Sequence, residues 1–157
     1  MNTDGFLKHA IWVFVIVLAV YCLGYYAIEH RRTSNGPWQV AFTNDSAGVP
    51  VLLINQPKLA ITNVLIAFPG ESLSRQTNIP GQFAFEQPRP VPFEVPFGRC
   101  VFMDTTSLPG TLVFEISGHE IQLLPRVLTI DKTEQAWQTD LRLNLPQKQV
   151  PPEQRHP

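Results

Sequence analysis

Nineteen consecutive residues, Ala10 to Ile28 (AIWVFVIVLAVYCLGYYAI), carry no charge, and Glu29, His30, Arg31 and Arg32 follow at once. A helix rises about 1.5 Å per residue, so such a run is roughly 28 Å long and matches the hydrocarbon core of a bilayer. The run predicts a single transmembrane helix over residues 10–28, with a short tail over 1–9 and a linker over 29–36. The remaining chain is long enough for one compact domain with its own core.

A cleaved secretory signal is the competing reading. Lys8 supplies a basic start, but the apolar run exceeds the usual signal core, and Gly24-Tyr25-Tyr26-Ala27 offers no Ala-x-Ala site. A lipoprotein reading fails because Tyr21, a large residue, precedes Cys22. The expectation is therefore an uncleaved anchor. Trp12 near one end, and Tyr25 and Tyr26 near the other, suit the headgroup level, and Arg31 and Arg32 suit the aqueous flank. Gly24 has no glycine partner four positions away, so there is no GxxxG seam. The basic flanks, Lys8 before and Arg31 and Arg32 after, differ too little to decide orientation. The domain reads like that of an envelope protein, which places it on the periplasmic side of the cell (inner) membrane.

Fifteen prolines in 157 residues argue against further helices. Short alternating runs bounded by turn residues fill the chain instead. Trp38, Val40 and Phe42 share one strand face. Strands are also expected over 49–55, 59–68, 83–87, 99–104, 112–117, 120–124 and 127–131, then around Leu141, Leu143 and Leu145. Asp131 to Glu134 reads as a turn, and Glu71 to Asn78 as a polar loop. The prediction is an all-β domain over 37–145, a β-sandwich of immunoglobulin-like type, with a small closed barrel as the alternative. The Pro/Gln-rich stretch 146–157 has Val150 as its one large apolar residue and is expected to be a flexible tail.

The net charge of −1, with no basic stripe, excludes a nucleic-acid partner as an expectation. Cys22 in the span and Cys100 in the domain are not expected to meet, so no internal disulfide is predicted. The segment Pro80 to Phe97 interleaves prolines with Phe83, Phe85, Phe93 and Phe97 and must be an edge or a crossover. Its rings either point into the core or form a docking surface, stiff, extended and rich in aromatic anchors.

Cys100, Met103 and His119 are residue types that suit copper. Against this, the strand region holds one histidine, expected at an exposed hairpin tip. Cys100 and Met103, three positions apart, fall on opposite faces of a regular strand. Asp104-Thr105 resembles the first two residues of the Asp-Thr-Gly turn of aspartic proteases, but Thr106 stands where glycine is needed, and a side-chain-bonded turn is the simpler reading. Ser72 lacks the following glycine of a nucleophile elbow.

No coherent catalytic constellation is present in the sequence, so no catalytic residue, metal or cofactor is expected. The expected function is a non-catalytic accessory, structural or assembly subunit of a larger membrane complex, respiratory or photosynthetic complexes being the architectural analogy. Its partners would be the lipid bilayer and other membrane-protein subunits. Trp38, Phe93, Phe97 and Trp137 are the candidate docking anchors. The alternatives are a membrane-tethered ligand- or copper-binding module and, behind it, a membrane-bound hydrolase.

Overall fold

The computed structural model describes residues 3–70 and 81–148. The chain divides into two compact units, one ending at Ser34 and the other beginning at Asn35. The expected loop over 71–78 and the tail from 149 onward lie outside the described residues.

The first unit is a helix, α1, Thr3–Thr33. Its stretch Gly5–Thr33 has a peak mean hydropathy of 2.3, buries none of that surface, and is long and apolar enough to cross a membrane. Apolar residues run all round it, as suits a helix surrounded by hydrocarbon. Its end is well closed. Thr33 Oγ1 donates to the Glu29 carbonyl at 2.9 Å and Ser34 Oγ to that of Arg31 at 3.1 Å. The Ser34 hydroxyl thereby reaches one of the last four carbonyls, which have no intrahelical partner. His30, Arg31 and Arg32 place positive charge at the negative end of the helix dipole.

The second unit is built from two sheets. The first contains β1 (Gln39–Asn44), β2 (Pro50–Gln56), β3 (Ile61–Ala67), β4 (Gly81–Ala84) and, at the end of the chain, β11 (Arg142–Asn144). Their order is β11-β3-β2-β1-β4, with β11 parallel to β3. The second sheet is an antiparallel meander of consecutive strands. These are β5 (Phe93–Val95), β6 (Gly98–Met103), β7 (Leu112–Ile116), β8 (His119–Leu123), β9 (Val127–Ile130) and β10 (Thr133–Ala136).

The alternating apolar residues do what their period requires. Val40 and Phe42, Leu52 and Ile54, Val64 and Ile66 face inward from the first sheet; Phe114, Ile116, Ile121 and Leu123 do so from the second. They form one core, which fits a β-sandwich. Phe42 of β1 lies 6.0 Å, edge-on, from Phe114 of β7 and so ties the two sheets together. Each such buried ring contributes on the order of 1.5–3 kcal/mol.

The immunoglobulin strand order is not the one found. In that order the chain passes repeatedly between sheets; here β5 to β10 stay in one sheet. Two-residue connections hold β5 beside β6, β7 beside β8 and β9 beside β10. The proline-rich segment is the crossover: β4 ends one edge of the first sheet, and β5 begins one edge of the second. Phe85 is buried, and Phe83, Phe93 and Phe97 pack against the core.

Two polar side chains fix the start of the domain. The Gln56 amide is 1% exposed; its Nε2 donates to the carbonyls of Gly36 (3.0 Å) and Pro37 (2.8 Å), and its Oε1 accepts from Lys58 N (3.1 Å). Trp38, also 1% exposed, donates its indole N–H to Gly110.

Candidate functional site

The densest polar cluster among the described residues of the domain lies where the β7–β8 hairpin meets the end of the chain. Ile116 pairs with His119, leaving Ser117 and Gly118 as a two-residue turn with φ values of 53° and 79°. Two positive φ values in such a turn match the strand twist. The turn makes His119 the first residue of β8, on the same face as Ile121 and Leu123. The β9–β10 turn repeats the device, with Asp131 and Lys132 at φ 51° and 68°.

His119 is only 6% exposed. Its Nδ1 lies 2.7 Å from Asp131 Oδ2, and its Nε2 lies 2.8 Å from the Pro146 carbonyl. Asp131 Oδ1 accepts from Glu120 N at 3.2 Å, and Lys148 Nζ lies 2.7 Å from Asp131 Oδ2. Burial opposes ionisation of Asp131, but bonds from Lys148, His119 and the Glu120 N–H outweigh it and hold the carboxyl below the usual range. Residues 145–148 form a strap between sheets: Leu145 N donates to Ala67 of β3 at 2.8 Å, and Lys148 N to Ser117 at 3.1 Å. The cluster and strap wall an open groove of about 970 Å³, lined also by Glu94, Phe97 and Arg99.

The histidine–aspartate pair looks like half of a nucleophilic triad, but its chemistry is closed. A general base must receive the nucleophile's proton on the second ring nitrogen. Here that nitrogen is turned onto a backbone carbonyl, which has no proton to give. Among the described residues there is no group of three or more His, Cys, Asp or Glu placed to hold a metal.

The structure distributes the sequence candidates unevenly. Trp38 is inside the core, with Trp137 tilted over it at 5.3 Å. Trp137 is half-buried and donates its N–H to Leu124 at 2.9 Å. Phe97 packs 5.1 Å from Phe42 and 5.8 Å from Phe68. Phe93 is half-buried, with the Arg89 guanidinium 5.8 Å from its ring centre. Among the described residues of the domain, the large apolar side chains that stand in the open are Val91, 40% exposed, and Phe102, 49% exposed. Trp12, Tyr25 and Tyr26 project from α1, Tyr26 stacking on His30, while Arg32 pairs with Glu29.

Three expectations change. His119, expected at an exposed tip, is buried, because the two-residue turn ends one position before it. Cys100 and Met103, expected on opposite faces, both reach the core, because a bulge between Cys100 and Phe102 adds a residue and inverts the alternation. Residues 146–148, assigned to the tail, dock on the hairpin. Asp104 is the side-chain-bonded turn expected: Thr106 N (2.9 Å) and Oγ1 (2.8 Å) both donate to its Oδ1 and lower its pKa.

The sequence signal for His119 was its parity with Ile121 and Leu123. No local signal existed for its partners, which lie 12 and 27 residues away.

No protein-family model, curated protein or solved structure matches this chain.

Proposed function

We propose that the protein is a single-pass, membrane-anchored, non-catalytic accessory or assembly subunit of a larger membrane complex. In this reading α1 lies in the cell (inner) membrane beside partner helices, and the β-domain docks on the periplasmic side. The observation that carries it is the helix Gly5–Thr33, apolar all round and wholly uncovered by its own chain. Such a surface is stable in lipid or against other apolar helices, and not in water. The engaged nitrogens of His119 favour a non-catalytic domain. The exposed Val91 and Phe102, with Phe93 and Arg89 nearby in sequence, are the docking anchors this reading favours.

The test is gentle detergent extraction from native membranes, followed by sizing and mass spectrometry of everything that co-migrates. Fixed stoichiometry with a larger membrane assembly is the expected result. Migration as a lone monomer or homodimer would overturn the proposal. It would favour a second reading, a membrane-tethered module that binds a polar ligand in the groove beside His119.

A further inference from the structure

On the accessory-subunit reading above, on which this rests, we propose that the partner adds an extended segment to the second sheet along its open edge, β10. Backbone parity carries this. Val127 N and O both bond to Leu124, and Asp131 N bonds to Glu120 O. Those residues therefore turn their backbone groups toward β8, and by alternation Leu128 and Ile130 turn theirs toward β10. The residues opposite Leu128 and Ile130 are Gln135 and Thr133. Glu134 and Ala136, opposite Thr129 and Val127, thus point their N–H and C=O groups away from the sheet. Among the described residues, β9 is the one strand hydrogen-bonded to β10, and Thr133, Glu134 and Ala136 are exposed. Two donors and two acceptors stand in a row at strand spacing, which is what an added strand completes.

The other sheet edges are interrupted by proline, which has no N–H. Pro80 precedes β4, Pro92 and Pro96 flank β5, and Pro146 follows β11. The two-residue turn between Val95 and Gly98 makes Glu94 the outward residue of β5, so Pro92 and Pro96 fall at the next outward positions. On β11, Leu65 N bonds to Leu141 O and Leu145 N to Ala67 O, so Pro146 likewise takes the next outward position. No proline lies between Pro125 and Pro146, and β10 keeps its donors on both flanks. Glu134 selects the occupant. Its carboxylate makes no ion pair among the described residues. Opposite charges attract across a ladder and like charges repel, so the added segment carries lysine or arginine opposite Glu134.

The full chain, extracted with its partners in gentle detergent, tests this. Ala136→Pro removes an outward N–H and sets a ring in the path of the added strand, while the β9 ladder stays whole. It is expected to keep the wild-type urea midpoint and to lose about tenfold or more of the assembly-bound chain. Glu134→Lys is expected to keep the midpoint and weaken co-migration. Gln135→Pro, which removes a ladder bond instead, is expected to lower the midpoint. In the wild-type chain, the amides of Glu134 and Ala136 should exchange hydrogen about tenfold or more slowly in the assembly than after release from it. If Ala136→Pro fails to fold, Glu134→Pro takes its place, and the exchange measurement needs no variant. A folded Ala136→Pro that co-migrates undiminished overturns the added strand, as does equal exchange in the bound and released chain. Either result leaves the subunit reading standing. A wild-type chain that migrates alone overturns both. A homodimer in which both amides are protected also overturns the partner segment, and names a second copy of this chain as the occupant.

Discussion

The indole N–H of Trp38 donates to the carbonyl of Gly110, 2.7 Å away and 72 residues further along the chain. The bond joins the start of the first sheet to the loop before β7. A Cβ on Gly110 would stand 1.5 Å from the Asp104 carbonyl oxygen, so that loop has no room for a side chain. Gly110→Ala should therefore destabilise the domain by about 2 kcal/mol or more. Trp38→Phe, which keeps an aromatic ring but strands the Gly110 carbonyl, should cost about 1–3 kcal/mol. Urea unfolding checks both; midpoints within error of wild type would show that the loop moves aside freely.

Phe97 and Phe102 separate packing from docking. Phe97 meets Phe42 and Phe68 in the core, so Phe97→Ala should cost on the order of 2–4 kcal/mol. Phe102 is half exposed on the outer side of the second sheet, so Phe102→Ala should change stability by no more than about 0.5 kcal/mol. Under the docking proposal, Phe102→Ala should weaken co-migration with the partner assembly. Unchanged co-migration with unchanged stability would remove Phe102 as an anchor.

Cys100 is buried, and burial pushes its thiol up to about 11. At pH 8 the thiolate is then roughly one part in a thousand, and it is the thiolate that reacts. In a Cys22→Ser background, maleimide should label the native domain very slowly and the urea-unfolded chain rapidly. Fast labelling of the folded domain would mean that β6 opens locally.

Asp131 gives a pH dependence with a definite sign. Its carboxyl is held below the ordinary value, so its contribution to stability is complete above about pH 4 and is lost as pH falls through the lower folded value. Asp131→Asn should cost roughly 1–3 kcal/mol at neutral pH, and the difference from wild type should vanish in strong acid. Urea midpoints measured from pH 2 to 7 test this. A difference that persists undiminished at pH 2 would mean that shape, not charge, sets the contribution of Asp131.

The helix and most strands were legible because their patterns are local: an uninterrupted apolar run, and residues such as Val40 and Phe42 two apart. Asp131 to Glu134 reads as a turn in the sequence, but the turn closes at Lys132, and backbone pairing with β9 makes Thr133–Ala136 a strand that has no large apolar residue to mark it. β5 was hidden between prolines. Met103 was assigned to the wrong face because a bulge leaves no mark in an apolar run. The His119 cluster was not legible. Its geometry depends on the strap crossing from one sheet to the other, and that path is a property of the whole fold.

The amide of Gln56 grips the backbone at Gly36 and Pro37, immediately before the chain enters β1. That strand has neighbours on both sides, β2 and β4. Tension entering the domain at Gly36 would therefore meet a side-chain clamp first and two hydrogen-bonded ladders behind it. If α1 tethers the domain as proposed, that clamp and those ladders are the first parts of the domain to feel a pull.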